Sequence, residues 1–231
     1  MDRIPEPELM DDPAQAAEYA AADFAAPHDR FVALFRERHP TCRPLRVLDL
    51  GCGPADPTRR FARVFRDCHV TGVDAADAMI ALGEKANHEA GLADRISLVC
   101  AHLPEVALPE RHFDTVISNS LLHHLHDPAV LWATAQRFAQ PNGLLFVMDL
   151  RRPSDEDSVR ELVARYAANE PELLRRDFER SLRAAYRPEE IAEQLRRAGL
   201  DRLAVELEGD RHVIVHGRVP AATEATSTSP S

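Results

Sequence analysis

Between residues 45 and 150 short apolar runs alternate with stretches whose apolar positions return at helical spacing. The runs predict strands over 45–50, 69–74, 96–100, 113–118 and 144–150. Helices are expected over 57–66, 76–90 (ended by Gly91) and 128–139, the last ended by a Pro141-Asn142-Gly143 turn. A loop interrupted by Pro104 and Pro109 joins the third strand to the fourth. The strands carry too little polar alternation for one wet face, so helices should cover both sides, as in a parallel sheet.

The flanks read differently. The chain begins irregularly (Ile4-Pro5-Glu6-Pro7-Glu8), then an alanine-rich helix is expected from Pro13 to Ala26. A second helix follows, from about His28 to His39, with Phe31, Leu34 and Phe35 on one face. Residues 151–187 are strongly charged and predicted helical, and a helix over 188–198 ends at Gly199. Strands over 203–207 and 212–219 flank Gly209-Asp210, a pair suited to a hairpin turn. The fold class expected is α/β: a doubly wound, mostly parallel, seven-stranded Rossmann-like sheet with a terminal antiparallel hairpin. Residues 1–44 are expected as an N-terminal helical region, 45–219 as the ligand-binding domain with 151–187 as an inserted cover, and 220–231 as a disordered tail.

Charge narrows the partners. The net charge is -10, from 38 acidic and 28 basic residues, and such a surface repels polyphosphate. No nucleic-acid partner is expected. No stretch approaches the ~18 apolar residues of a membrane span, and the acidic start lacks the apolar core of a signal peptide. A cytoplasmic protein, monomeric or homodimeric, with no membrane partner is expected. Cys42, Cys52, Cys68 and Cys100 show no C-x-x-C spacing, so reduced thiols are expected and no metal site.

The candidate chemistry gathers at the first turn, Asp49-Leu50-Gly51-Cys52-Gly53-Pro54-Ala55-Asp56. Two glycines let backbone approach a ligand closely, and the helix beyond offers free N–H groups. That helix can begin at Asp56 as a cap or at Pro57 as a first helical residue. A third glycine at the dinucleotide-binding spacing is missing, since Asp56 stands there. Ala55 occupies a place that would otherwise suit glycine, so the turn is expected to avoid positive φ there. Roughly 20 residues on, Asp74 ends the second strand, where a carboxylate reaches ribose hydroxyls in open α/β sheets.

These motifs resemble those of the class I S-adenosylmethionine (SAM)-dependent methyltransferases, over roughly residues 45–219. The resemblance rests on Asp49-Leu50-Gly51-Cys52-Gly53, on Val73-Asp74 followed by Met79, and on Phe113-Asp114-Thr115-Val116-Ile117-Ser118-Asn119 with His123-His124 and Pro141-Asn142-Gly143 beyond. It implies SAM as cofactor and S-adenosylhomocysteine (SAH) as product. Asp49 would hold the methionine part directly or through water. Gly51, Cys52 and Gly53 would admit the cofactor, Asp74 and Ala75 would take the ribose, and Met79 would shape the adenosine pocket. Ser118 and Asn119 would border it from strand four. An acidic residue common in the family after strand three is replaced here by Ala101-His102, so the adenine contact would fall to His102 or to backbone atoms.

Reacting groups gather at the carboxyl ends of the strands. His123 is the candidate base, with His124 beside it, because imidazole titrates near neutrality; the plainer role for either is to cap a helix or brace a loop. In small-molecule members of the family an N-terminal helix often folds over the cofactor, so the resemblance implies a lid at residues 1–44, from which Tyr19, with Asp23 and Phe24, would shield the methyl group. Arg151 and Arg152 suit an anionic group on the substrate, and Tyr166, Arg176, Phe178 and Tyr186 would come from the inserted cover. The expected activity is methyl transfer to a small molecule. The alternatives are an RNA or protein methyltransferase, a silent SAM- or partner-binding module, or a nucleotide-binding oxidoreductase.

Overall fold

The structure is a computed structural model that describes residues 1–6, 13–109 and 112–220. Residues 221–231 of the expected tail lie outside the described residues. Two helices, α1 (Pro13–Ala21) and α2 (Ala25–Arg38), precede β1 (Arg46–Leu50), α3 (Asp56–Val64), β2 (His69–Asp74), α4 (Asp77–Glu89), β3 (Ile96–Cys100), β4 (Phe113–Asn119), α5 (Ala129–Phe138) and β5 (Ala139–Leu150). The chain then adds α6 (Glu156–Tyr166), α7 (Glu172–Ala184), α8 (Pro188–Arg197), β6 (Ala204–Glu208) and β7 (His212–Arg218). The sheet order is β3-β2-β1-β4-β5-β7-β6. β1 to β5 pair in parallel, whereas β7 runs antiparallel to both β5 and β6.

Alternate residues of the central strands face opposite ways, and two cores result. On one side Phe31, Phe35 and Phe61, from α2 and α3, pack on Val47, Phe146, Met148 and Ile214. On the other, Trp132 and Phe138 from α5 and Ile191 and Leu195 from α8 pack on Leu48, Val116, Leu145, Val147 and Val213. β5 shows the alternation directly, since Phe146 and Met148 join the first core and Leu145 and Val147 the second. The buried indole of Trp132 donates to Gln194 Oε1 at 3.1 Å, so its polar atom is satisfied.

The strand order reverses between β1 and β4. In open parallel sheets that switch point leaves a crevice at the strands' carboxyl ends. The β1–α3 turn, the β2 tip and the β4 loop all open there.

Two local expectations are corrected. β5 begins at Ala139, not Leu144, because Ala139 already pairs with Phe113. While β4 advances from Phe113 to Thr115, β5 advances from Ala139 to Leu144, so Pro141-Asn142-Gly143 bulges out of a strand. Asn142, at φ 61°, turns the chain there. Ala55 does not avoid positive φ either: it sits at φ 60°, after Gly51 (72°) and Gly53 (51°). Its N–H donates to the Cys52 carbonyl at 2.9 Å and its side chain is fully buried, so closure and packing outweigh a left-handed cost of roughly 1–2 kcal/mol.

Candidate functional site

A cavity of about 440 Å³ opens at the switch point. Its floor is the β1–α3 turn, one wall is the β2 tip, and its cover is the α1–α2 junction. Gly51, Cys52, Gly53, Asp74, Ala75 and Met79 line it, as do Ala101, His102 and Asn119 from the β3 and β4 ends. Nine of the eleven residues expected on the cofactor side are thus brought together. The other two, Asp49 and Ser118, lie behind the wall and are almost fully buried.

The glycine turn hangs on β2: Gly51 N and Cys52 N both donate to the Val73 carbonyl, at 2.8 and 3.0 Å. A Cβ on Gly51 would meet Leu121 at 2.7 Å, whereas one on Gly53 would meet no protein atom within 4 Å. The first glycine lets a loop side chain approach, and the second leaves space beside the cavity. Asp74 Oδ2 accepts from Gly53 N (2.8 Å) and Oδ1 from Ala76 N (2.9 Å). A carboxylate has about four acceptor sites, so two remain for a ligand's hydroxyls. Burial raises the Asp74 pKa more than its backbone donors lower it.

Asp49 accepts from Thr58 Oγ1 at 2.6 Å. Its burial pushes the carboxyl up to about 7, with the Thr58 bond opposing and the Asp74 charge adding. Ser118 Oγ donates to the Leu50 carbonyl at 2.7 Å and ties β4 to β1. Asn119 Oδ1 is shielded from solvent and accepts no hydrogen bond among the described residues. It stands as an acceptor beside the cavity.

Asp56 does not cap α3. Its carboxylate receives His28 Nδ1 and Arg60 Nε, both at 2.7 Å. Burial would raise its pKa, but those two partners outweigh burial and hold it well below the usual carboxylate range. Tyr19 lines the cavity and stacks on Phe24 with centroids 4.8 Å apart; Phe24 stacks on His28 at 5.6 Å. Burial, reinforced by the Asp74 charge, pushes the Tyr19 hydroxyl up to about 12.

The two histidines part company. His124 lines the cavity, whereas His123 is buried beneath it. His123 Nδ1 lies 2.6 Å from Asp149 Oδ1, and Asp149 also accepts from the Leu122 and Leu150 amides, each at 2.7 Å. Burial disfavours the His123 imidazolium, but the Asp149 charge and hydrogen bond outweigh it and raise its pKa.

The residues expected from the inserted cover do not line the cavity. Arg151 donates to the Asp210 carbonyl, and Arg152 donates to the Ala185 carbonyl (2.9 Å) and to Glu190 (2.5 Å). Tyr166 bonds the Asp210 carboxylate, Phe178 packs among Leu150, Val159 and Leu182, and Arg176 is exposed beside Asp177. Tyr186 donates to the Leu125 carbonyl at 2.9 Å. Apart from Phe178 and the exposed Arg176, these side chains are held by backbone carbonyls and carboxylates away from the cavity.

Three contributors were missed. Asp149 carried one legible signal, an acid inside an otherwise apolar strand. Thr58 and Glu6 carried none: Thr58 reaches Asp49 only once the glycine turn closes, and Glu6 reaches the histidines only through long-range packing.

Residues 48–147 match the family model described as "Methyltransferase domain". A ubiquinone/menaquinone biosynthesis C-methyltransferase, UbiE, of Shewanella halifaxensis is 28% identical over 113 residues, 48% of this chain and 45% of that protein. The UbiE of Psychromonas ingrahamii is 30% identical over 109 residues, 47% of this chain and 43% of that protein. The match therefore spans less than half the length of these curated relatives. Among solved structures, a SAM-dependent methyltransferase from Aquifex aeolicus aligns with a TM-score of 0.66 and 16% identity, covering 90% of this chain and 98% of that one. The plantazolicin methyltransferase BpumL, solved with SAH, aligns at 0.70 and 12% identity over 90% and 92% of the two chains. The acidic glycine motif, the strand order and the family model agree on a methyltransferase domain of the class I SAM-dependent kind over residues 48–147.

Proposed function

We propose that this chain transfers a methyl group from SAM to a small-molecule acceptor held in the switch-point cavity. The observation that carries the reading is Asp74, braced by the Gly53 and Ala76 amides, in the wall beside an open glycine turn. That pairing suits a ribose set against backbone. The groove fits the cofactor elsewhere too. Met79 and His102 line the cavity for the adenosine end, and Asp49 is buried behind the turn, on the side of the cationic amino-acid end.

When bound, SAM supplies an activated methyl group that the acceptor's nucleophilic atom takes by in-line displacement. The chain's part is to hold the acceptor in line and to keep water out. Tyr19 and Phe24 cover the cavity from the α1–α2 junction, so residues 1–44 act as its lid. Leu121 and Leu125 close the β4 side. Of the two histidines, His124 is the one that faces the acceptor, and His123 with Asp149 fixes the loop that carries it. A small acceptor is favoured over RNA or protein by the covered cavity and the net charge of -10.

Calorimetric titration with SAM, SAH and NAD tests the reading. SAM and SAH are expected to bind and NAD not to. Asp74→Ala is expected to weaken SAH by about 10- to 100-fold, the loss of charge-assisted hydrogen bonds. Binding of NAD without SAM would overturn the proposal.

A further inference from the structure

We propose that Glu6, His123 and His124 bind a divalent transition-metal ion of the zinc class at the edge of the cavity. The three come from distant parts of the chain. Glu6 ends the described N-terminal segment, and the histidines lie in the loop after β4. Glu6 Oε1 stands 3.5 Å from His123 Nε2 and 3.4 Å from His124 Nδ1, and all three ligand atoms lie within 4.8 Å of one another. A tetrahedral ion with bonds of about 2.1 Å separates its ligand atoms by about 3.4 Å. The Glu6–His123 separation exceeds the 2.7–3.2 Å of an ordinary N–H···O bond, so the spacing suits an ion better than a direct hydrogen bond.

The surroundings are those of a metal ligand set. Asp149 accepts from His123 Nδ1, which directs the Nε2 lone pair toward Glu6; a carboxylate behind a ligating histidine does this in metal centres. Ser181 Oγ donates to Glu6 Oε1 at 3.0 Å and orients the carboxylate. Arg3, on the same segment, gives its guanidinium to the Ala184, His123 and Leu125 carbonyls rather than to Glu6. Two imidazoles and one carboxylate favour zinc-class ions over magnesium or calcium. Three protein ligands leave one tetrahedral position open, and His124 puts the site beside the cavity.

The test uses the full chain, untagged and stripped with chelator. Titration with Co²⁺ is expected to give the intense visible bands of a tetrahedral site, saturating at one equivalent. Zn²⁺ should displace the Co²⁺ and raise the melting temperature. Glu6→Gln and His124→Ala should lose the bands, and Glu6→Gln should lose the Zn²⁺-dependent rise while circular dichroism reports a folded chain. His216→Ala should keep both, although His39 and His216 meet edge-to-face with ring centres 5.3 Å apart beside Glu206 and form a rival imidazole pair. Absence of the bands in the wild type, or their persistence in Glu6→Gln and His124→Ala, would overturn the proposal. So would their loss in His216→Ala. The inference does not rest on methyl transfer: a chain that takes up Co²⁺ but not SAH keeps this site and fails the other reading.

Discussion

Two aspartates at the glycine turn show how place decides the state of one residue type. Asp74 receives two backbone amides and faces the cavity, whereas Asp49 receives one hydroxyl and is 2% exposed. Burial pushes Asp49 up to about 7. A carboxyl whose folded pKa is raised binds its proton more tightly folded than unfolded. Stability then falls as pH rises from the unfolded value of about 4 through about 7. The contribution is on the order of a few kcal/mol. Asp49→Asn in the ligand-free protein is expected to flatten that decline, measured by urea unfolding between pH 4.5 and 8 (roughly the span of the titration). Equal slopes in wild type and variant would rule this out.

At the scale of elements, the N-terminal segment behaves as a strap. Arg3 donates to carbonyls at the end of α7 and in the β4 loop, and its guanidinium lies 4.0 Å from the centre of the Tyr186 ring. The N-terminal amine reaches the Ser154 carbonyl at 2.7 Å, and Arg187 reaches the Met1 carbonyl at 2.8 Å. The strap thus fixes the loop that carries both histidines. Arg3→Ala leaves several carbonyls without their donor and is expected to cost about 2–4 kcal/mol. Denaturant midpoints at constant slope would measure it, and a change below about 0.5 kcal/mol would show the strap to be ornamental.

For the whole molecule, the cavity joins parts that are separate in the chain: the β1 turn, the β2 tip, the β4 loop and the α1–α2 junction. A ligand there ties the helical cover to the sheet. SAH at about 100 times its dissociation constant is expected to stabilise the fold by about 2.7 kcal/mol. Thermal melting at fixed chain concentration would read this. Replacing Tyr19 and Phe24 by alanine should reduce the shift without removing it, because Asp74 and the turn remain; an undiminished shift would detach the cover from binding.

The alternation of apolar strands and helices, the acidic glycine motif and the placing of Asp74 were determined by sequence alone, because local periodicity and turn chemistry are written in neighbouring residues. Much of the cavity lining was legible for the same reason: most of those residues follow strand ends. The place of the 151–187 side chains was not. Arg151, Arg152 and Tyr186 looked available, but the folded chain gives them to the Asp210, Ala185 and Leu125 carbonyls and, for Arg152, to the Glu190 carboxylate. Only the tertiary structure brought Glu6 to the histidines and set Asp149 behind His123. Contacts between residues far apart in the chain depend on how its elements close over one another, and no local pattern records that.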